Sequence, residues 1–320
     1  MTKLGLAAVL LATALAFLTT APSHATFRGD NGRIAFRRYL DSAHTWGAIF
    51  TIAADGTGEQ QVTHPPKGTV DDQPDWAPDG SQIVFERCPK SGSCRLYIVA
   101  ADGSRLSAVS PPCSRGGTCG GDGPGAFSPH GKRIVFGRLD SGYGCCAIVT
   151  TGLDARSVTP IVKGVKPYAL GEPQLSPDGR RVVLVEAKGG GNPRAVFVVG
   201  VNGHGARQLT PWSMNAGDAP DWSPDGKWVL FRSNVDVDGK QSQIYLIHPN
   251  GSGLTQLTHF KPGTIVTSSS FSPDGTQIVF ATTGVGGKAD VYVMAADGTA
   301  MAPVTRTSAW DSAPDWGPAR

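Results

Sequence analysis

Residues 220–226 read Pro-Asp-Trp-Ser-Pro-Asp-Gly, and variants of this stretch recur along the whole chain. The turn that closes it recurs at intervals of 47 to 51 residues and ends at Gly80, Gly131, Gly179, Gly226 and Gly275. A related turn ends at Gly32, and in the final stretch PDWGPAR Arg320 takes the glycine position of a further turn. Repeats of this length are typical of propeller blades or solenoids.

Each repeat contains four short segments that favour strands. In the repeat that begins at Pro220, the first segment ends at Trp222 and the second contains Val229 and Phe231 in alternation. The third begins at Ile244, and the fourth ends at Thr258. Alternation of this kind predicts half-buried strands, and four antiparallel strands make one propeller blade. We expect the aromatic residue that ends each first segment to pack between blades, and the turn aspartates to be structural: Asp79, Asp178, Asp225 and Asp274.

Composition supports an all-β chain. Of 320 residues, 42 are Gly and 24 are Pro, and they interrupt the sequence too often for long helices. The mature chain opens with a second, third and fourth segment (33–63) and ends with an unpaired first segment (313–316). We therefore predict one domain, residues 26–320, that forms a six-bladed β-propeller closed by its N- and C-terminal strands in one blade.

The pattern P-x-W-S-P-D-G, I-x-F, I-Y-x-M-x-x-D-G and L-T resembles the WD40-like (PD40) repeat of the TolB family, over essentially the whole mature chain. The resemblance implies the propeller fold. It implies no single function, because the same blade occurs in envelope scaffolds, in propeller domains of prolyl oligopeptidase-like enzymes and in some polysaccharide lyases.

Residues 1–25 have the pattern of a secretory signal peptide. Lys3 precedes an apolar run over 4–18, and small residues at Ser23 and Ala25 predict cleavage before Thr26. The run is shorter than the roughly 20 residues of a bilayer span, so we expect a periplasmic or secreted protein without a stable membrane span. The 29 Lys and Arg against 26 Asp and Glu, without basic runs, argue against nucleic-acid binding.

Export would place the cysteines in an oxidising compartment, where disulfides persist. The sequence has six cysteines, and their spacing favours two local disulfides, Cys88 with Cys94 and Cys113 with Cys119. A zinc site from these four is the alternative, although the spacing within each pair is unusual for zinc. The adjacent Cys145 and Cys146 remain unassigned, as a vicinal disulfide, as free thiols or as links elsewhere.

Charged residues at the loop end of three repeats are the candidate contacts for a ligand or partner. An acid lies five residues before the first-segment aromatic, and an arginine lies two residues beyond the second-segment Phe. Antiparallel pairing should bring each acid near its arginine, either as an ion pair that holds the loops or as a charged patch for a polar ligand or protein. These residues are Asp71, Asp122 and Asp311, with Arg87, Arg138 and Arg38.

One loop suggests calcium. Asn234, Asp236 and Asp238 offer oxygen ligands at alternate positions before Gly239, as calcium loops do. The twelfth position is Tyr245 instead of Glu, so a hairpin turn is the alternative. No other cofactor is predicted.

No catalytic constellation is evident from the sequence, because the histidines are scattered and no G-x-S-x-G motif occurs. We therefore expect a binding scaffold of the cell envelope, with an envelope or extracellular protein or a polar small ligand as its partner. The alternative is a carbohydrate-active lyase or hydrolase with a site at the mouth of the propeller channel.

Overall fold

A computed structural model describes most of the chain: residues 29–113, 118–143, 146–163, 168–188, 193–217, 219–234, 241–284 and 287–320. The predicted signal peptide lies outside these residues. The described residues form 24 strands and two 3-10 turns, Ser141–Tyr143 and Trp212–Met214, without an α-helix. Within the described ranges, no helix is long and apolar enough to cross a bilayer.

The strands follow one another with short connections. The first seven, β1 to β7, are Asn31–Tyr39, Gly47–Ile52, Gln60–Gln61, Thr69–Trp76, Gln82–Pro89, Arg95–Ala100 and Ser107–Ala108. The next eight, β8 to β15, are Cys119–Phe127, Arg133–Asp140, Ala147–Gly152, Val158–Lys163, Tyr168–Leu175, Arg181–Lys188, Arg194–Gly200 and Arg207–Gln208. The last nine, β16 to β24, are Asp221–Trp222, Val229–Asn234, Ser242–Ile247, Thr255–Gln256, Val266–Phe271, Gln277–Thr283, Ala289–Ala295, Ala302–Pro303 and Asp311–Pro318.

The fold is an all-β propeller, but the prediction of six blades is wrong. The described strands make four separate four-stranded blades, β8–β11, β12–β15, β16–β19 and β20–β23. The other eight strands form one continuous sheet in the order β24-β1-β2-β4-β5-β6-β7, with β3 paired to β2. Two sequence repeats are therefore joined in a single sheet.

The joint is a parallel pairing of β2 with β4 between Gly47 and Val70. A Cβ on Gly47 would lie 3.1 Å from Val70 Cγ1 and 3.2 Å from Tyr39 Cδ1, so glycine lets the two backbones approach. The spacing of the repeats does not predict this pairing, because the pairing depends on how closely a strand of one repeat approaches a strand of the next in space.

The first and the last strand of the described chain meet in this large sheet. Strand β24 pairs antiparallel with β1, with Trp316 opposite Ile34 and Asp311 opposite Arg38. Main-chain hydrogen bonds thus join these two strands, and β1 has a neighbour on each side, β24 and β2.

Apolar clusters lie between successive sheets. One joins Val84 and Leu96 of the large sheet to Phe127 and Phe136 of the next blade. Another joins Phe36 of β1 to residues of β21 and β22, which closes the ring. The repeated aromatics are buried, as predicted: Trp76, Phe127, Trp222, Phe271 and Trp316.

The outermost strand of most repeats is fastened by its terminal hydroxyl. Thr258 Oγ1, for example, accepts the backbone N–H of Ile244 at 2.9 Å. The same contact recurs, at 2.8 to 3.0 Å, at Thr63, Ser110, Thr210 and Thr305. This bond satisfies a backbone donor where the two-residue outer strand ends.

The strand connections define two faces of the molecule. The turn face carries the Pro-Asp-Gly turns, whose aspartates accept backbone N–H groups two residues on, as at Asp79 from Ser81 (2.9 Å) and at Asp178 from Arg180 (3.0 Å). Asp225 and Asp274 make the same bonds, so these aspartates are structural, as expected. The opposite end, the cysteine face, carries the Cys88–Cys94 loop.

Candidate functional site

The three predicted acid and arginine pairs all form at the cysteine face, each between directly opposed residues of neighbouring strands. In each pair, two guanidinium nitrogens donate to the two carboxylate oxygens. The Nε to Oδ1 distances are 2.7 Å for Arg38–Asp311, 2.6 Å for Arg87–Asp71 and 2.7 Å for Arg138–Asp122. This two-point geometry is the strongest that the two groups can make.

These pairs are largely buried, and the further hydrogen bonds of their arginines hold the neighbouring loops in place. Arg138 also donates to the carbonyl oxygens of Pro111 (2.8 Å) and Pro112 (3.0 Å), which fixes the loop that enters the second disulfide. Arg38 adds Glu59 to its partners. Burial lowers the pKa of Arg38, but its hydrogen bonds with Asp311 and Glu59 outweigh burial and raise it. That these residues also contact a ligand stays a prediction.

Both predicted disulfides are present, with Cα–Cα distances of 4.2 Å for Cys88–Cys94 and 5.6 Å for Cys113–Cys119. Glu86 lies close to the first pair, but bonded sulfurs are no longer thiolate ligands, which removes the zinc alternative for these four residues.

Two other predictions fall partly outside the described residues. Cys146 is buried, whereas Cys145 is not described. Of the calcium loop, only Asn234 is described, at the end of β17, so the calcium site stays a prediction.

The innermost strands enclose a central channel with a cavity of about 60 Å³, room for a few water molecules. Carboxyl, amide and hydroxyl groups line it, among them Asp75, Glu172, Gln174, Asp221, Ser270 and Asp315. This acidic lining was not predicted. A signal was present, because three first segments read Pro-Asp-Trp and repeat a carboxylate at the same position beside the buried aromatic.

The aspartates of these three segments, Asp75, Asp221 and Asp315, each accept a hydrogen bond from the backbone of another strand. Asp75 accepts the backbone N–H of Phe127, Asp221 that of Phe271 and Asp315 that of Trp76, each at 2.8 Å. Asp75 also accepts from Gln174 Nε2 at 2.9 Å, and Asp315 from Ser270 Oγ at 2.8 Å. The carboxylates therefore tie the sheets together around the channel.

Their burial is costly when they are charged. It raises the pKa of Asp221 to about 7, and the nearby charge of Asp315 adds to the rise. The pKa of Asp75 is raised well above its usual range, chiefly by burial and then by Asp315. The channel thus concentrates carboxyl groups that would gain from a nearby positive charge.

More carboxyl groups lie near the channel on the cysteine-face side. Burial raises the pKa of Glu86 to about 8, helped by Asp72 and Glu172 and opposed by Arg37. Arg37 bonds to Asp72 and to Ser312 Oγ, and its guanidinium carbon lies 4.3 Å from the centre of the Tyr39 ring. We call Asp72, Glu86 and Glu172 the mouth carboxylates.

Two serines leave hydrogen-bonding capacity in the same cavity. Ser268 and Ser269 line it, both are buried, and neither hydroxyl has a partner among the described residues. Buried hydroxyl groups are normally satisfied by protein or by water, so water or another polar molecule in this cavity would hydrogen-bond to them.

The sheets, turns and channel define the class of this protein as a β-propeller. Residues 218–320 match the family model "PD40: TolB beta propeller domain", and the chain has a TolB-like propeller fold. It is similar to TolB from Acinetobacter baumannii, with a TM-score of 0.69 and 20% identity, covering 90% of this chain and 67% of that chain. The resemblance stated from the repeats is confirmed.

Two curated relatives have peptidase names. "Uncharacterized peptidase YuxL" of Bacillus subtilis (strain 168) is 27% identical over 201 residues, which are 59% of this chain and 26% of that protein. "Dipeptidyl-peptidase 5" of Porphyromonas gingivalis is 33% identical over 113 residues, 34% of this chain and 16% of that protein. The chain therefore matches only a minor part of either relative.

Proposed function

We propose that this protein is an exported binding scaffold of the cell envelope that recognises a partner protein at the cysteine face. The mouth carboxylates would receive a lysine or arginine side chain of that partner. The observation that carries the proposal is the concentration of buried carboxyl groups at the mouth and in the channel below it: burial raises the pKa of Glu86 and Glu172, and that of Asp75 and Asp221 as well.

Electrostatics supports a cationic contact. A carboxyl group whose pKa is raised by burial and by other carboxylates is relieved when a positive charge comes near, because the charge favours its ionised form. Glu86, with a pKa of about 8, is mostly protonated at neutral pH and would release its proton as the partner binds. Binding should therefore weaken as the pH falls through about 8, the pKa of Glu86 in the free protein.

The channel lining bears on the enzyme alternative in two ways. The described residues that line its cavity include no histidine, lysine, arginine or tyrosine, the bases that a polysaccharide lyase would gather there, whereas its carboxyl groups of raised pKa are of the kind that a glycoside hydrolase uses. The two disulfides are consistent with the proposed export, since such bonds persist in oxidising compartments.

The test is affinity purification of the tagged mature protein from its own envelope fraction, beside Glu86→Gln and Glu172→Gln. Both substitutions keep the shape of the side chain and remove its capacity for charge. Asp154→Asn, an exposed acid on the turn face, is the matched control. We expect a partner that the protein and the control retain, and that the two mouth variants lose.

Circular dichroism must show that the variants fold as the unmodified protein does. A partner that the folded mouth variants retain unchanged would refute the contact. The absence of any retained protein would refute the scaffold, and turnover of a glycan by the purified protein would establish the enzyme instead.

A further inference from the structure

A second concave site lies on the turn face, away from the mouth carboxylates. It is a cleft of about 590 Å³ between the blade β12–β15 and the blade β16–β19. Nine residues line it, among them the basic Arg181, Arg207 and Lys227, with His248 and Val198. None of these nine residues is acidic, in a chain whose charges are otherwise nearly balanced.

Arg181 is the distinctive group of this cleft. In two other repeats, an arginine at the same strand position is bonded to a threonine: Arg33 Nε donates to Thr51 Oγ1 at 3.1 Å, and Arg133 Nη2 to Thr150 Oγ1 at 2.6 Å.

The register of the strands places Val198 where those threonines lie. A valine cannot accept a hydrogen bond, and no described residue makes a hydrogen bond or ion pair with the Arg181 guanidinium. Its central carbon lies 4.8 Å from the ring centre of Trp222, which holds it in place by a cation–π contact. Its five donors are therefore available and oriented.

The other basic groups of the cleft are also held. Arg207 Nη1 donates to the carbonyl oxygen of Asn250 at 3.3 Å, and Lys227 Nζ lies 2.9 Å from Asp225 Oδ2. The His248 ring stacks on Trp228 with centroids 3.7 Å apart, and its Nδ1 lies 2.8 Å from the Lys227 carbonyl oxygen. A carbonyl only accepts, so Nδ1 carries the hydrogen.

Blade packing alone does not require this basic lining. The next junction, between β16–β19 and β20–β23, has a cleft of similar size, about 560 Å³. Its lining includes Asp225 and Asp274 and no lysine, arginine or histidine. Asp178 and Asp225 occupy the equivalent turn positions beside the first cleft, so the two junctions differ in the basic residues that only the first cleft gathers in its lining.

We propose that the cleft beside Arg181 binds a small oxyanionic ligand through a phosphate or carboxylate group. The Arg181 guanidinium supplies two parallel N–H donors, the arrangement that matches two oxygens of such a group. Arg207 adds positive charge at the rim, where Lys227 is balanced by Asp225, and the Asp178 carboxylate interacts electrostatically with Arg181 without bonding to it. This site lies apart from the proposed partner contact and does not depend on it.

The test is isothermal titration calorimetry of the mature protein with inorganic phosphate and, separately, with citrate at fixed pH and low salt. We expect saturable one-to-one binding of at least one anion, which weakens with added sodium chloride. Arg181→Gln should weaken it at least about tenfold. Phosphate alone would indicate a phosphoryl ligand, citrate alone a carboxylate ligand, and both a general oxyanion site.

Two further variants separate binding from folding. Arg133→Gln removes the equivalent arginine whose bonds are satisfied, and it should leave anion affinity unchanged. Val198→Thr restores the missing hydroxyl beside Arg181, and it should weaken binding without removing any charge. No saturable binding of either anion, or the same affinity in Arg181→Gln as in Arg133→Gln, would overturn the proposal.

Discussion

Arg138 offers the sharpest test of what holds the cysteine face together. Its side chain and that of Asp122 are both 0% exposed, and they share two hydrogen bonds. Arg138→Met removes the cation and leaves the Asp122 carboxylate buried, with the carbonyls of Pro111 and Pro112 unpartnered. Breaking a buried pair in this way costs about 3–5 kcal/mol, a large share of the roughly 5–15 kcal/mol that stabilises a typical domain.

The double variant Arg138→Met with Asp122→Leu separates the pair from its burial. It leaves no buried charge, so we expect it to be more stable than Arg138→Met alone, although it carries one substitution more. The control is Arg156→Met, which breaks a pair whose side chains are 86% and 58% exposed. That change should have almost no effect, since exposed pairs contribute roughly 0–1 kcal/mol.

Urea unfolding at neutral pH, followed by tryptophan fluorescence and circular dichroism, measures the free energy of unfolding of each variant. Coincident transitions by both probes are needed for a two-state analysis. A loss below about 1 kcal/mol for Arg138→Met, or a double variant less stable than the single one, would refute this account of the pair.

Three further predictions test the channel, the first disulfide and the large sheet. The pKa of Asp221 is about 7 in the folded protein, above its unfolded value of 3.8. The stabilisation that its protonated form provides is therefore complete below pH 3.8 and is lost as the pH rises through 7. Asp221→Asn should flatten the pH dependence of the free energy of unfolding over that window by up to about 4 kcal/mol, as pH-dependent urea unfolding would show. Replacing Cys88 and Cys94 by serine should cost about 2–3 kcal/mol and lower the calorimetric melting temperature, whereas an unchanged melting temperature would contradict the staple. Gly47→Val should cost about 1–3 kcal/mol in urea unfolding because its side chain meets β4, while Gly171→Ala, whose Cβ meets nothing within 4 Å, should cost less.

The pattern of residues within each repeat was enough to predict the strands, and also the acid and arginine pairs on adjacent strands. The repeat predicted the strand types, the structural turn aspartates and the buried aromatics, and the alternation of residues predicted which arginine faces which acid. These relations hold within one blade, where register is set by a short turn and by the apolar face. The short spacing within the cysteine pairs likewise predicted both disulfides.

The acidic lining of the channel could not be predicted in this way. Asp75, Asp221 and Asp315 come from three different strands, and each bonds to a residue far away in the chain: Asp75 and Asp221 accept backbone N–H groups of another sheet, and Asp315 accepts one from Trp76 of its own sheet and the hydroxyl of Ser270 from another. Each looks like an ordinary polar residue beside a proline. Only the closure of the ring brings them to one cavity and raises their pKa values.

The sequence by itself determined an all-β chain of repeated four-strand units with two local disulfides, because these follow from contacts between residues close in the chain or in one repeat. It also indicated that the last strand pairs with the first, because the first repeat lacks the segment that is left over after the last one. The tertiary structure decided how those units share sheets and which charges meet. The pairing of Gly47 with Val70, the carboxylates of the channel and the unpartnered Arg181 beside Val198 all depend on distances between backbones that the repeat pattern does not encode.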